Sequence, residues 1–194
     1  MAKTEIELEL PEARKRIHAL EAEVEQSAAR ALEANLLRKV VEALNRAVSW
    51  QETLEQALAE IMTAFGCRAG WIYMITDDGS MRQVAARGLP PALKLDIRRR
   101  TTLCECQRLL LGGEMGQSVN IIHCQRLREA RGDTGGLATH ASVPIFHGER
   151  WLGVLNLAQP DADRHCEDKL ALLSAVGQQL AVALERARLY VAEQ

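Results

Sequence analysis

Apolar residues recur at alternating steps of three and four in the N-terminal part of the chain. They fall at Ile17, Leu20 and Val24, then at Leu37, Val41, Leu44 and Val48, with the small residues Ser27, Ala28 and Ala31 between the two runs. That spacing marks a helix face that pairs with another helix. From Pro11 to about Trp50 there is no glycine or further proline, and the stretch is dense in Ala, Leu, Glu and Arg, so one long helix is expected. From about Cys166 to Val191 the pattern returns at Leu173, Gly177, Leu180, Leu184, Ala187 and Val191. Stripes at both ends would be wet in a monomer, which predicts a homodimer through the N- and C-terminal helices.

Between the two ends the period changes. A second helix is expected over Glu52–Phe65, stopped by Gly66. The run AGWIYMITDDG ends in an Asp-Asp-Gly turn and MRQVAARG follows it, which reads as a hairpin. A short helix around Pro91 to Arg99 leads into a cysteine-bearing segment. SVNII, ASVPIF and WLGVLNLA then read as three more strands, the last two joined by HGER. A sheet with flanking helices makes an α+β domain.

Charge and composition narrow the classes. The net charge is -2, with basic and acidic residues interspersed, so no nucleic-acid footprint is present. Arg98, Arg99 and Arg100 form the one dense basic spot and read as a solvated helix end. No window approaches the roughly 20 apolar residues of a membrane span, and the N-terminus lacks a secretory apolar region. Five cysteines, an odd number, point to a reducing cytoplasm where thiols serve metals or redox work.

Cys104, Cys106 and Cys124 concentrate three thiols in one segment, with His123 beside the third and His140 downstream. Thiolates and imidazoles select zinc, iron–sulfur clusters or haem iron. A C-x-C pair closes on itself only with strain, so the pair is expected to look outward, to a metal or a third cysteine. Cys67 reads as buried filler, Cys166 as a helix-start residue beside His165, and His18 and His147 as solvated. Trp71 and Trp151 read as core. There is no glycine-rich phosphate loop, G-x-S-x-G elbow or paired-carboxylate site, so no enzyme is indicated.

The string from Gly136 to Tyr190, with its S-x-P strand, its G-x-x-x-x-G-V-L-x-L strand and the helix D-x-x-x-L-L … Q-x-x-x-A-L-x-x-A-x-L-Y, resembles the C-terminal half of a GAF domain. The helix from Glu52, AGWIYMI and ARGLPPAL are similar to its first half, so the likeness covers about Gln51 to Tyr190. It implies an antiparallel sheet of about six strands with helices on one face and a ligand pocket on the other. It further implies a sensor module, dimeric through its first and last helices, that signals to an output such as a histidine kinase. On this reading residues 1–50 are a coiled-coil helix, 51–190 the sensor domain, and 166–193 its signalling helix. The chain stops at Gln194, about where an output module begins, as expected of an excised sensor.

In the family, the segment before the S-x-P strand covers the pocket, and here it carries the cysteines. The N-K-F-D-E-type signature of cyclic-nucleotide-binding members is missing, and the Cys-His dipeptide of bilin attachment is reversed at His123-Cys124. The favoured cofactor is an iron–sulfur cluster on Cys104, Cys106 and Cys124. His140 is preferred over His123 or Cys67 as fourth ligand because it opens the strand HASVPI. Haem on His123 or His140, zinc, a small organic ligand, or a structural dimerisation module without cofactor are the alternatives. A methionine-sulfoxide reductase is a further one, weakened by long helical flanks.

Overall fold

The computed structural model describes residues 2–46, 50–95, 103–160 and 169–192. Helices α1 (Ala2–Arg46) and α2 (Trp50–Phe65) come first, followed by strands β1 (Ala69–Ile75) and β2 (Met81–Arg87). Then come α3 (Pro91–Leu95), α4 (Glu105–Leu111), β3 (Asn120–His123), α5 (Gln125–Arg128), β4 (Thr139–His147), β5 (Arg150–Ala158) and α6 (Leu170–Ala192). The chain divides into two units, Met1–Leu36 and Leu37–Gln194, with the division inside α1. In the first unit the helix runs through Pro11, which has no N–H for one i→i−4 bond, in a stretch otherwise rich in strong helix formers. Its stripe residues Ile17, Leu20 and Val24 are each more than half exposed.

The second unit is built on one antiparallel sheet in the order β2-β1-β5-β4-β3. Among the described residues there are five strands where about six were expected. Before β3, residues 105–119 form α4 and a glycine-rich loop, with Gly113 and Gly116 at positive φ. The hairpin β1–β2 turns at Asp77-Asp78-Gly79, where Gly79 has φ 77° and Thr76 Oγ1 donates to Asp78 Oδ1 at 2.6 Å. The β4–β5 hairpin turns at Gly148-Glu149.

Strand alternation sends two sets of side chains to two faces. Ile72, Val143, Ile145, Leu155 and Leu157 are buried on the face covered by α2 and α6. On α2, Leu54, Leu58, Ile61 and Phe65 form the apolar stripe of a helix lying on a sheet. Gly70 on β1 leaves room for that helix, since a Cβ there would lie 2.9 Å from Leu58 Cδ1. The other face carries Trp71, Tyr73, Val154 and Ala158, in one apolar cluster with Cys104, Cys106, Leu110 and Cys124 of the cover. With both faces covered, β4 is buried from Thr139 to Ile145 and β5 from Leu152 to Ala158.

One expectation needs correction here. Leu173 and Leu180 of α6, expected on a dimer seam, have no exposed surface, and a Cβ on Gly177 would meet Pro144 O of β4 at 2.7 Å. This part of the stripe is spent on the sheet of its own chain. A helix on a sheet and a helix in a coiled coil both need apolar residues at three- and four-residue steps, so spacing alone does not separate them. The expected segments 96–100 and 165–168, with Arg98, Arg99, Arg100, His165 and Cys166, lie outside the described residues. No described helix is long and apolar enough to cross a membrane.

Candidate functional site

The cover spans 103–138 and is tied down by backbone and side-chain bonds. Ala92 N–H donates to Asp133 O at 3.1 Å, Cys124 N–H to Ala138 O at 2.9 Å, and Arg68 Nη1 to Gly135 O at 3.0 Å. Beneath it lies a cavity of about 20 Å³, walled by Trp71, Tyr73, Cys104, Cys124, Arg126 and His140 among others. That volume is of the order of one or two water-sized spheres.

Cys104 is the N-cap of α4, with extended backbone at φ -85° and ψ 173°. Its N–H donates to Gln107 Oε1 at 2.9 Å, which holds the cap in place. Inside a helix, residues two apart do not face each other. The extended cap folds the Cys104 side chain back over the first turn, so its Sγ lies 2.8 Å from Cys106 Sγ. The expectation that this pair looks outward is therefore corrected: the two thiols face one another. Cys124 caps α5 in the same extended manner and is buried in the same cluster.

The thiols differ electrostatically. Cys104 is held below the usual thiol range, first by the S–H of Cys106 donating to it, then by the Arg126 charge and helix-start N–H groups working against burial. Cys106 is pushed up because its proton is given to Cys104 and because it is buried. Burial also raises Cys124. Arg126 donates through Nη1 to Tyr73 Oη and through Nη2 to Gln107 Oε1 at 2.9 Å, with its guanidinium 5.5 Å from the Tyr73 ring centroid. Burial raises the Tyr73 hydroxyl above its ordinary value.

His140 is fully enclosed, edge-on to Trp71 at 5.2 Å between ring centroids. Burial, then the Arg126 charge, lowers its pKa to about 3, so the ring is neutral. Ser142 Oγ donates to Asn156 Oδ1 at 2.7 Å and lies 3.0 Å from His140 Nδ1. With its one hydrogen spent on Asn156, Ser142 accepts from Nδ1–H, and this network assigns the lone pair to Nε2. Asn156 Nδ2 is buried with no hydrogen-bond partner among the described residues.

The fold thus gathers Cys104, Cys106, Cys124 and His140 on one side of the sheet. His123, at the end of β3, is exposed and not part of the cavity wall. Cys67 is half-buried beside a separate groove between α2 and β2. Among the described residues no three His, Cys, Asp or Glu side chains stand close enough together to hold a metal ion. Sequence reasoning missed Tyr73, Gln107, Arg126, Ser142 and Asn156. Ser142 and Asn156 carried a usable signal, being polar residues at core positions of alternating strands.

The family model described as GAF domain matches residues 47–185. The sensor histidine kinase YhcY of Bacillus subtilis (strain 168) is 33% identical over 161 residues, covering 79% of this chain and 42% of that protein. The chain thus spans less than half the length of this relative. A GAF domain from a phosphoenolpyruvate-protein phosphotransferase of Coxiella burnetii superposes with a TM-score of 0.60 at 17% identity, over 82% of this chain and 96% of that one. Free methionine-R-sulfoxide reductase from Neisseria meningitidis, in complex with its substrate, gives 0.59 at 15% identity, over 82% and 92%. At those identities the likeness is one of fold.

Proposed function

The chain belongs to the GAF domain family, and from that premise we propose that it is the sensory module of a histidine-kinase-type signalling protein. Its input site is the covered pocket, and its cofactor is an iron centre held by Cys104, Cys106, Cys124 and His140. The observation that carries this reading is convergence: three separate elements bring three thiols and a neutral imidazole to one buried face. The donor chemistry fits soft, thiolate-preferring iron, and Ser142 leaves the Nε2 lone pair of His140 available. Three of the four donors sit on the cover, which would have to close on the metal because the donors are not yet grouped around one point. Bound iron would supply a centre responsive to redox state or to gases.

A homodimer through the terminal helices belongs to the same reading, now resting on the exposed Ile17, Leu20 and Val24. The output would be a histidine kinase downstream, as the kinase relative suggests, with a cytoplasmic location and no nucleic-acid or membrane partner.

Protein purified without oxygen tests the cofactor. Broad visible absorption with iron and acid-labile sulfide supports a cluster, and iron without sulfide supports a single ion. Colourless protein with neither iron nor zinc by elemental analysis would refute metal binding. Cys104→Ser, Cys106→Ser or Cys124→Ser should each lose the iron, and His123→Ala should keep it.

A further inference from the structure

We propose that Cys104 is a hydroperoxide-reactive thiol and Cys106 its resolving partner, the two closing to a disulfide that withdraws both from the metal-ligand set. This deepens the reading of the covered pocket as the input site and rests on it. Four observations carry it. The two sulfurs stand 2.8 Å apart, less than about 1 Å beyond a covalent S–S bond. Cys104 lines the cavity while Cys106, 1% exposed, lies behind it, so an oxidant entering the cavity meets Cys104 first and the second thiol waits at its back. The Arg126 guanidinium stands in the same wall, anchored to Tyr73 and Gln107, where a cation can stabilise a departing oxygen. Finally, the cavity, of the order of one or two water-sized spheres, is on the scale of an oxidant as small as hydrogen peroxide.

The chemistry balances in two steps. The Cys104 sulfur attacks one peroxide oxygen, an S–O bond forms, the O–O bond breaks, and the other oxygen leaves as water or alcohol, giving a sulfenic acid. Cys106 then attacks the Cys104 sulfur. The S–S bond forms, the S–O bond breaks, and hydroxide leaves with the Cys106 proton as water. The two thiols supply two electrons in all. A disulfide across one intervening residue is strained, and strained disulfides are the readily reduced, regulatory ones, so a dithiol reverses the reaction.

The test uses the whole chain, reduced, freed of metal with a chelator, and exposed to stoichiometric hydrogen peroxide. The expected product is 2 Da lighter, about the mass of the two hydrogens a disulfide removes, with the link confined to the tryptic peptide Thr101–Arg108, which contains both cysteines. Cys106→Ser should instead stop at a sulfenic acid trapped by dimedone, Cys104→Ser should yield neither species, and Cys124→Ser should behave as the parent. Unchanged mass, or a link from Cys104 to Cys124, overturns the proposal. If Cys104→Ser fails to fold, the parent's peptide map and the Cys106→Ser trap still decide it. Zinc added to the reduced and oxidised forms separates the two readings. If the disulfide forms but the reduced protein takes up neither iron nor zinc, the metal reading fails alone. If metal binds and no disulfide forms, this inference fails alone.

Discussion

Replacing Gly177 by alanine should lower stability, although alanine is the better helix former. The added Cβ would lie 2.7 Å from Pro144 O and 2.9 Å from Val143 Cγ1, where ordinary contacts begin at 3.4 Å. Two effects oppose each other. Alanine in a helix interior gains about 1 kcal/mol over glycine. Overpacking a filled core costs about 1–3 kcal/mol. The obstacle is a carbonyl of β4, a strand paired with β5 along this stretch, so the strand cannot give and α6 must withdraw by several tenths of an ångström. That withdrawal also loosens Leu173 and Leu180, both fully buried on the same helix face. With a fixed backbone carbonyl as the obstacle the cost falls in the upper part of that range, about 2–3 kcal/mol, so the clash should win by about 1–2 kcal/mol, a fall in Tm of about 2–8 °C for a chain of this size. Thermal and urea unfolding followed by circular dichroism measure it, with the exposed Gln178→Ala as a control expected to stay within about 0.5 kcal/mol. A Gly177→Ala protein as stable as the parent, or more stable, would refute the close packing of α6 on β4.

Leu20→Glu combined with Val24→Glu should convert a dimer to a monomer by light scattering while leaving the melting of the sheet domain unchanged. Leu180→Glu should instead unfold it, by burying an unpaired charge where the leucine has no exposure. A double variant that keeps the parent's mass would remove the terminal-helix dimer. Metal-free reduced protein should lose stability as pH falls from about 6.5 toward 3, because unfolded His140 takes up a proton that the buried ring, with its pKa lowered to about 3, refuses. The slope from this group reaches about 1.4 kcal/mol per pH unit, and His140→Gln should flatten it. An identical pH dependence in the variant would mean that His140 is not the group responsible.

The parts of the fold that were legible are those set by short apolar runs between turns. The strands around Trp71, Val143 and Leu155 and the turn at Gly79 follow from apolar runs of strand length and from turn chemistry. What local spacing does not contain is the identity of the opposing surface, and so the α6 stripe was assigned to a second copy of the chain when it lies on β4. Gly177 was the overlooked signal, since a glycine on an apolar helix face marks close approach of a backbone. The same limit applied to the site. The thiols were legible from ligand softness, but the contact between Cys104 and Cys106 depends on an N-cap conformation that neither helix nor strand spacing predicts. Arg126 meets Tyr73 across 53 positions of sequence, a distance no motif spans.

β4 joins the two halves of this argument. Its residues alternate between the covered pocket and the long C-terminal helix: His140 and Ser142 lie on the side of the thiols, while Val143 and the Pro144 carbonyl are what a Cβ on Gly177 would strike. A change in the pocket that shifts this strand by a few tenths of an ångström therefore reaches α6 within one or two residues, without a relay of intermediate side chains. Packed interfaces of this kind respond by stepping between arrangements more than by yielding gradually. On the proposed sensory reading the close fit at Gly177 would carry that shift to α6, and a methyl group that displaces the helix would alter the contact through which it passes. Gly177→Ala should accordingly weaken any effect of Cys104–Cys106 oxidation on hydrogen exchange along α6, even at temperatures where the variant is fully folded. Undiminished coupling in that variant would place the route to the helix elsewhere than through β4.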